Sequence, residues 1–112
     1  MLHQSYLPKK FCWDGKSVQV ASEIYSAVEQ FLISHPKLRA YSGFRPDPAG
    51  DHRCGLAVDM VPLDFNDVVS IRQAYADAAS LLKSGKVVYV EPLSATVIPG
   101  NHHLHISWKR CP

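Results

Sequence analysis

Three features that would assign this chain to a membrane, secretory or nucleic-acid-binding class are missing from its sequence. No apolar run in its 112 residues approaches the roughly 20 residues that cross a bilayer. The first eight residues lack the basic-then-apolar layout of a secretory signal. The net charge is only +2, and basic residues are adjacent only at Lys9-Lys10 and Lys109-Arg110. We therefore expect neither a membrane nor a nucleic acid as a partner.

Cysteine is also scarce, with three residues in the whole chain. Cys12 and Cys111 lie near opposite ends, and they can pair only if those two segments are neighbours in the fold. Because no signal sequence points to an oxidising compartment, free thiols are the expected state.

The remaining composition is that of an ordinary globular protein, with 46% hydrophobic and 20% charged residues. We expect a single domain over residues 1–112. Hydrophobic periodicity predicts an α+β fold, in which two helices cover one face of a small, mostly antiparallel sheet. Residues 1–17 are expected to be irregular. Helices are predicted from Ser22, as a cap, to 34 and from Asn66, as a cap, to Ser84, and strands over 37–42, 55–61, 87–90, 95–98 and 103–108.

Two segments carry most of the histidine. Asp51-His52-Arg53-Cys54-Gly55-Leu56-Ala57-Val58-Asp59-Met60 and the stretch around His103-Leu104-His105 together hold four of the six histidines. On a strand, Asp59 faces away from its apolar neighbours, and His103 and His105 point the same way. An unpaired carboxylate in apolar surroundings is costly, so the pattern predicts a metal site.

Zinc suits this combination of ligand types. It accepts imidazole and carboxylate ligands together, and three protein ligands leave one coordination position open, as hydrolytic rather than structural zinc sites do. One zinc ion is the expected cofactor.

These residues resemble a known family. The string His52-x-x-Gly55-x-Ala57-x-Asp59, preceded by Ser42-Gly43-Phe44-Arg45 and followed by His103-x-His105, is similar to the zinc D-Ala-D-Ala carboxypeptidase and L-alanyl-D-glutamate endopeptidase family, which shares its fold with the Hedgehog signalling domain. The resemblance covers roughly residues 41–61 and 101–109. It implies a Hedgehog/DD-peptidase-like fold in which His52, Asp59 and His105 bind the zinc ion. It also implies that Arg45 binds the carboxylate or polarised carbonyl of the substrate, and that His103 stabilises the oxyanion.

The general base is the point at which this sequence departs from the family. The family commonly has an acid three residues before the last ligand, and this chain has His102 there. An imidazole can act as a base near neutral pH, so His102 is a candidate catalytic residue, provided that the last strand begins after it. The alternatives are Glu91, Asp51 and Asp64.

The function implied by the resemblance is that of a zinc-dependent peptidase. It would hydrolyse an amide bond in peptidoglycan stem peptides, as a D-Ala-D-Ala carboxypeptidase or an endopeptidase. The missing signal favours an endolysin-like enzyme, made in the cytoplasm, acting as a monomer at the bacterial cell wall. Two alternatives remain: a catalytically silent zinc-binding module of the same fold, and a structural zinc site with four protein ligands.

Overall fold

The computed structural model describes residues 3–91 and 103–112. Within these residues, three pairs of strands are separated by two α-helices along the chain. The elements, in chain order, are β1 (Gln4–Tyr6), β2 (Gln19–Ala21), α1 (Ser22–Ser34), β3 (Leu38–Ser42), β4 (Ala57–Pro62), α2 (Val68–Lys83), β5 (Tyr89–Glu91) and β6 (Leu104–Ser107).

The main sheet has four strands in the order β3-β4-β6-β5, and every neighbouring pair is antiparallel. β1 and β2 form a separate antiparallel pair. The α+β class predicted from the sequence is thus confirmed. The short β1–β2 sheet was not predicted.

The sheet has one apolar face and one polar face. Residues that alternate along its strands are fully buried and share one core with the buried side chains of α1 and α2. Asp59 and His105 lie at the alternate positions, on the opposite face. The core-facing sheet residues are Leu38, Ala40, Val58, Met60, Val90, Leu104 and Ile106.

Element boundaries agree with the sequence for α1, β3, β4 and β6 to within one or two residues. α1 begins at Ser22 itself, with Ala21 in the cap position, and it ends before His35-Pro36. α2 begins after Asp67, whose carboxylate accepts the Ser70 N–H bond; the predicted cap, Asn66, was therefore wrong by one residue. The predicted strand over 95–98 lies outside the described residues.

One prediction about irregular structure was wrong. Residues 1–17 contain β1 and two short 3-10 turns, Lys9–Phe11 and Trp13–Gly15, because Leu7 and Phe11 are buried in the core and fix the segment against it. The strand predicted over 87–90 is β5, Tyr89–Glu91, which agrees to within two residues; Val87 is buried at the end of the turn that leaves α2.

None of the helices in the described part of the chain is both long enough and apolar enough to cross a membrane.

The cysteines do not pair as expected. Cys54 is joined to Cys111 in a disulfide with a Cα–Cα distance of 5.6 Å. Cys12 is a free thiol in the core, beside Ala40 at the β3 edge of the main sheet. The expectation of free thiols at 54 and 111 was wrong, because Cys111 follows β6 back to the turn that contains Cys54; the Cys12–Cys111 pairing, which the sequence left open, does not form.

Candidate metal centre

Two of the three predicted metal ligands form a directly opposed pair on neighbouring strands. In the β4–β6 register Asp59 faces His105, and Ala57 faces Ser107. Directly opposed side chains on one face of an antiparallel pair have their Cβ atoms about 4.5–5.5 Å apart. The sheet therefore fixes the Asp59 carboxylate and the His105 ring against each other, with Oδ1 2.9 Å from Nδ1.

The third ligand reaches the sheet from a tight turn. His52 lies in the 3-10 turn Asp51–Cys54, which ends at Gly55 with φ of 70°. A Cβ atom at Gly55 would lie 2.9 Å from the backbone nitrogen of Ala21, so glycine is required there both for its conformation and for space. The turn folds His52 back over β4, within reach of Asp59.

The three donor atoms converge on one point. His52 Nε2 lies 3.1 Å from His105 Nδ1 and 3.3 Å from Asp59 Oδ1. All three side chains are largely buried, with 5%, 14% and 8% of the side-chain surface exposed for His52, His105 and Asp59. Among the histidine, cysteine and acidic side chains of the described residues, these three are the ones whose donor atoms lie close enough together to hold a metal ion.

Hydrogen bonds on the outer side of each ring set the tautomers. His52 Nδ1–H donates to the Gly43 carbonyl at 2.8 Å, which leaves Nε2 with its lone pair toward the centre. His105 Nε2 lies 2.8 Å from Ser107 Oγ, and the Ser107 side chain also hydrogen-bonds the Asp51 carboxylate. Because an ionised carboxylate only accepts, the Ser107 hydroxyl donates to Asp51 and accepts from His105 Nε2–H.

It follows that both nitrogens present lone pairs to each other and to a carboxylate oxygen. Three acceptors at such distances repel unless a proton or a metal ion lies among them. Orientation of ligating imidazoles by outer hydrogen bonds to carbonyl or carboxylate groups is the usual arrangement in metal sites. The arrangement of Gly43, Ser107 and Asp51 therefore fits a metal ion.

The spacing of the donors fits as well. In a tetrahedral site with metal–ligand bonds of about 2.0–2.1 Å, neighbouring ligand atoms are about 3.3 Å apart. The three observed separations lie between 2.9 and 3.3 Å. A slight expansion of this triangle would accommodate the ion.

The electrostatics keep Asp59 ionised. Burial by itself would raise the pKa of Asp59. When protons on His105 and His52 take the place of an ion, their hydrogen bonds and charge outweigh burial and hold that pKa well below its ordinary value. The Arg45 guanidinium adds a further interaction at 3.1 Å from Oδ2. The ligand is therefore a carboxylate at any physiological pH.

Arg45 lies at the rim of the centre, half-exposed. Its Nη1 donates to Asp59 Oδ2 and, at 2.7 Å, to Ser42 Oγ, and its Nε donates to Asp47. Ser42 stands opposite Asp59 because the β3–β4 register shifts after Ala40. The resemblance implied a substrate-binding role for Arg45, and the structure places its charge beside the Asp59 carboxylate.

The proposed catalytic residues fall in different places. His103 lies just before β6 and is half-buried, outside the three-donor group. His102 lies outside the described residues. Of the alternative acids, Asp64 is exposed in the loop beyond β4 and accepts a hydrogen bond from the Asn66 N–H. Glu91 lies opposite His105 in the β5–β6 register and is exposed on the polar face.

Asp51, another alternative base, has a structural role. Its two oxygens accept the Cys111 N–H at 2.8 Å and the Arg110 guanidinium at 3.2 Å. Burial would raise the pKa of Asp51, but these bonds, with that from Ser107, lower it overall. A fully engaged carboxylate of low pKa is a poor proton acceptor, so Asp51 orients His105 through Ser107 instead.

Sequence reasoning missed Ser107, the Gly43 carbonyl and the Cys54–Cys111 disulfide. A signal for the disulfide was present: Cys54 follows His52 by two residues and Cys111 follows His105 by six. If the two histidines converge on one ion, the two cysteines are brought close as well.

Comparisons with family models, with curated proteins and with solved structures found no match for this chain.

Proposed function

We propose that this protein is a zinc-dependent peptidase that hydrolyses an amide bond in peptidoglycan stem peptides. The observation that carries the proposal is the convergence of His52 Nε2, His105 Nδ1 and Asp59 Oδ1 on one point, with both rings oriented from outside. Two neutral nitrogens and one carboxylate form a ligand set that zinc accepts, and three protein ligands leave room for substrate or water.

A zinc ion held by His52, Asp59 and His105 would supply Lewis-acid chemistry, which activates water near neutral pH and polarises a carbonyl. The protein contributes the positioning. Arg45 is half-exposed at the rim, and its planar guanidinium suits a carboxylate or a developing oxyanion better than a lysine would. A bound substrate would replace Asp59 and Asp47 as the partners of Arg45.

Proton transfer needs a base on the same face of the sheet. Glu91 meets this requirement among the described acids, because it is the cross-strand partner of His105 and is exposed to solvent. His102, three residues before His105, is the other candidate, and it occupies the position that an acid takes in the family. Either group would accept a proton from the attacking water and return it to the leaving amine.

The peptidoglycan substrate rests on the resemblance of residues 41–61 and 101–109 to the D-Ala-D-Ala carboxypeptidase and L-alanyl-D-glutamate endopeptidase family. The resemblance implies that His52, Asp59 and His105 bind one zinc ion, and the grouping of their donor atoms supports this. The α+β sheet with helices on its apolar face is compatible with the Hedgehog/DD-peptidase fold. An endolysin-like, monomeric enzyme acting at the cell wall is part of this proposal.

The test uses a synthetic stem pentapeptide, L-Ala-γ-D-Glu-L-Lys-D-Ala-D-Ala, with products identified by mass spectrometry. Zinc-loaded protein should release D-Ala if it is a carboxypeptidase, or L-Ala if it cuts before D-Glu. Chelation should abolish the reaction and added zinc restore it. Glu91→Gln and His102→Ala, assayed separately, identify the base by loss of turnover with zinc retained.

A second candidate is a zinc-binding module without catalysis. It is favoured by two observations: His102 occupies the position of the family's acidic base, and Arg45 is already paired with two carboxylates. Stoichiometric zinc binding with every amide of the pentapeptide and of intact cell-wall sacculi left uncut would establish this reading in place of the peptidase.

A further inference from the structure

The Cys54–Cys111 disulfide joins the two segments that supply the histidine ligands. Cys54 lies two residues after His52 in the same 3-10 turn, and Cys111 lies six residues after His105, just beyond β6. The disulfide is therefore a covalent link across the metal centre, between its loop-borne ligand and one of its strand-borne ligands.

Non-covalent contacts reinforce the same link. Asp51 accepts hydrogen bonds from the Cys111 N–H and from Arg110, and Arg53 Nη2 donates to the Pro112 carbonyl at 3.1 Å. We call this set of contacts, together with the disulfide, the C-terminal clamp. Through Ser107, the Asp51 carboxylate also sets the proton on His105 Nε2.

Without the disulfide, the clamp depends on weak contacts. The Arg110 side chain is 61% exposed, and the Arg53 contact is exposed as well. Surface ion pairs of this kind contribute little because water screens them. Opening the disulfide would leave the C-terminal residues tied to Asp51 mainly by the single Cys111 N–H bond, so the orientation of both His52 and His105 would relax.

We propose that the Cys54–Cys111 disulfide makes metal binding redox-dependent: the oxidised protein holds the ion tightly, and the reduced protein holds it weakly. The proposal rests on the metal centre described above and not on the reaction assigned to it. In a reducing compartment the centre would stay weak, and an oxidising environment outside the cytoplasm would complete it.

The chemistry is a two-electron reduction of an accessible bond. Both cysteines are only half-buried, so a small reductant can reach them. A trialkylphosphine attacks one sulfur and displaces the other as a thiolate; water then converts the phosphorus–sulfur adduct into phosphine oxide and a second thiol. The phosphine is oxidised, both cysteines end as thiols, and no other group changes. Cellular dithiols reach the same end by thiol–disulfide exchange.

The experiment measures zinc affinity by competition with a chromophoric chelator, with and without phosphine. Reduction of the wild-type protein, or the double change Cys54→Ala and Cys111→Ala, should weaken zinc binding roughly 10- to 100-fold, the range found when groups that orient metal ligands are removed. The double variant should not respond to phosphine, and it has no thiols at 54 and 111 that could themselves bind zinc.

Cys12→Ala is the control, because Cys12 is a free, buried thiol away from the clamp; its response to phosphine should equal that of the wild type. Circular dichroism of each zinc-free sample monitors the fold. Equal zinc affinity in oxidised and reduced protein, within roughly twofold, would overturn the proposal. Loss of the helical signal on reduction would overturn it too, because the disulfide would then hold the whole fold. Oxidised protein that binds no zinc would instead refute the metal centre itself.

Discussion

Asp59 and His105 stand directly opposite each other on β4 and β6, with the carboxylate Oδ1 2.9 Å from the imidazole Nδ1. This pair is held by the ladder of the main sheet, whose other face is the protein core. His52, by contrast, depends on a turn and on its contact with the Gly43 carbonyl. Asp59 and His105 are therefore held rigidly by the sheet, whereas the position of His52 depends on loops. Substitutions in those loops should displace His52 without moving the other two side chains.

The first prediction concerns the ion itself. Zinc at a concentration 100-fold above its dissociation constant should raise the free energy of unfolding by about 2.7 kcal/mol, because it binds only the folded state. Asp59→Asn removes the anionic ligand and should abolish this rise. Asp14→Asn, at an exposed carboxylate, should preserve it. Thermal unfolding with and without zinc makes the measurement; an equal rise in the Asp59→Asn protein would contradict the assigned ligand.

The second prediction concerns the loop that holds His52. A Cβ atom at Gly43 would lie 2.3 Å from the Gln19 carbonyl oxygen, so Gly43→Ala must displace the carbonyl that orients His52. We expect a loss of about 1–3 kcal/mol in stability, as for other overpacked sites, and weaker zinc binding.

Gly85→Ala is the comparison for Gly43→Ala. Gly85 has φ of +79° and no atom within 4 Å of an added Cβ, so alanine there should cost about 1–2 kcal/mol of backbone strain and leave zinc affinity unchanged. Denaturation and zinc titration of the two variants separate a general loss of stability from a displaced ligand. Unchanged zinc affinity in Gly43→Ala would count against the role of its carbonyl.

A third prediction tests the orientation of His105. Ser107→Ala removes the acceptor of the Nε2–H bond and breaks the connection to Asp51. Zinc affinity should fall roughly 10- to 100-fold, as is typical when such a partner is lost. Ser84→Ala, which removes an exposed hydroxyl at the end of α2, should leave it unchanged. Chelator competition provides both values, and equal affinities would show that Ser107 does not orient the ring.

Part of the grouping of His52, Asp59 and His105 could be predicted from the sequence because strand alternation is a local property. It places Asp59 and His105 on the polar face once β4 and β6 are recognised, and both strands lie where the apolar pattern predicted. The resemblance supplied His52. What it could not supply was the register between β4 and β6, which makes the pair face each other and depends on long-range contacts.

The contacts around the ligands were less accessible to sequence reasoning. Ser42 faces Asp59 only because of the irregularity in β3, and such a shift has no clear signature in the residues Leu38–Ser42. The role of Asp51 depends on the backbone N–H of Cys111, sixty positions away. The cysteines were misassigned because pairing was judged from distance along the chain and from compartment, and not from the ligands that flank them.

The fourth prediction separates binding from catalysis at Arg45. Arg45→Lys keeps a positive charge near Asp59 but loses the planar set of donors. If the proposed peptidase activity is present, turnover of the stem pentapeptide should fall roughly 100-fold or more, the cost of losing one donor to a developing oxyanion. Zinc affinity should stay within roughly threefold, a smaller change than loss of an orienting partner causes. An Arg45→Lys enzyme of full activity would remove Arg45 from the site of reaction.

The last prediction uses the pKa of Asp51, which lies below its ordinary value of 3.8. A carboxyl whose pKa is lowered by folding contributes its full stabilisation above the unfolded value and loses it as the pH falls from 3.8 toward the folded value. Asp51→Asn should therefore cost about 1–3 kcal/mol at neutral pH, the range for a buried group left without its partners. The difference from wild type should shrink below pH 3.8.

Urea denaturation from neutral pH down to about pH 2 measures this difference in stability. Because Asp59 also has a lowered pKa, both proteins should still lose stability in acid. A constant difference between the two proteins across that range would show that the Asp51 charge does not hold the C-terminal clamp.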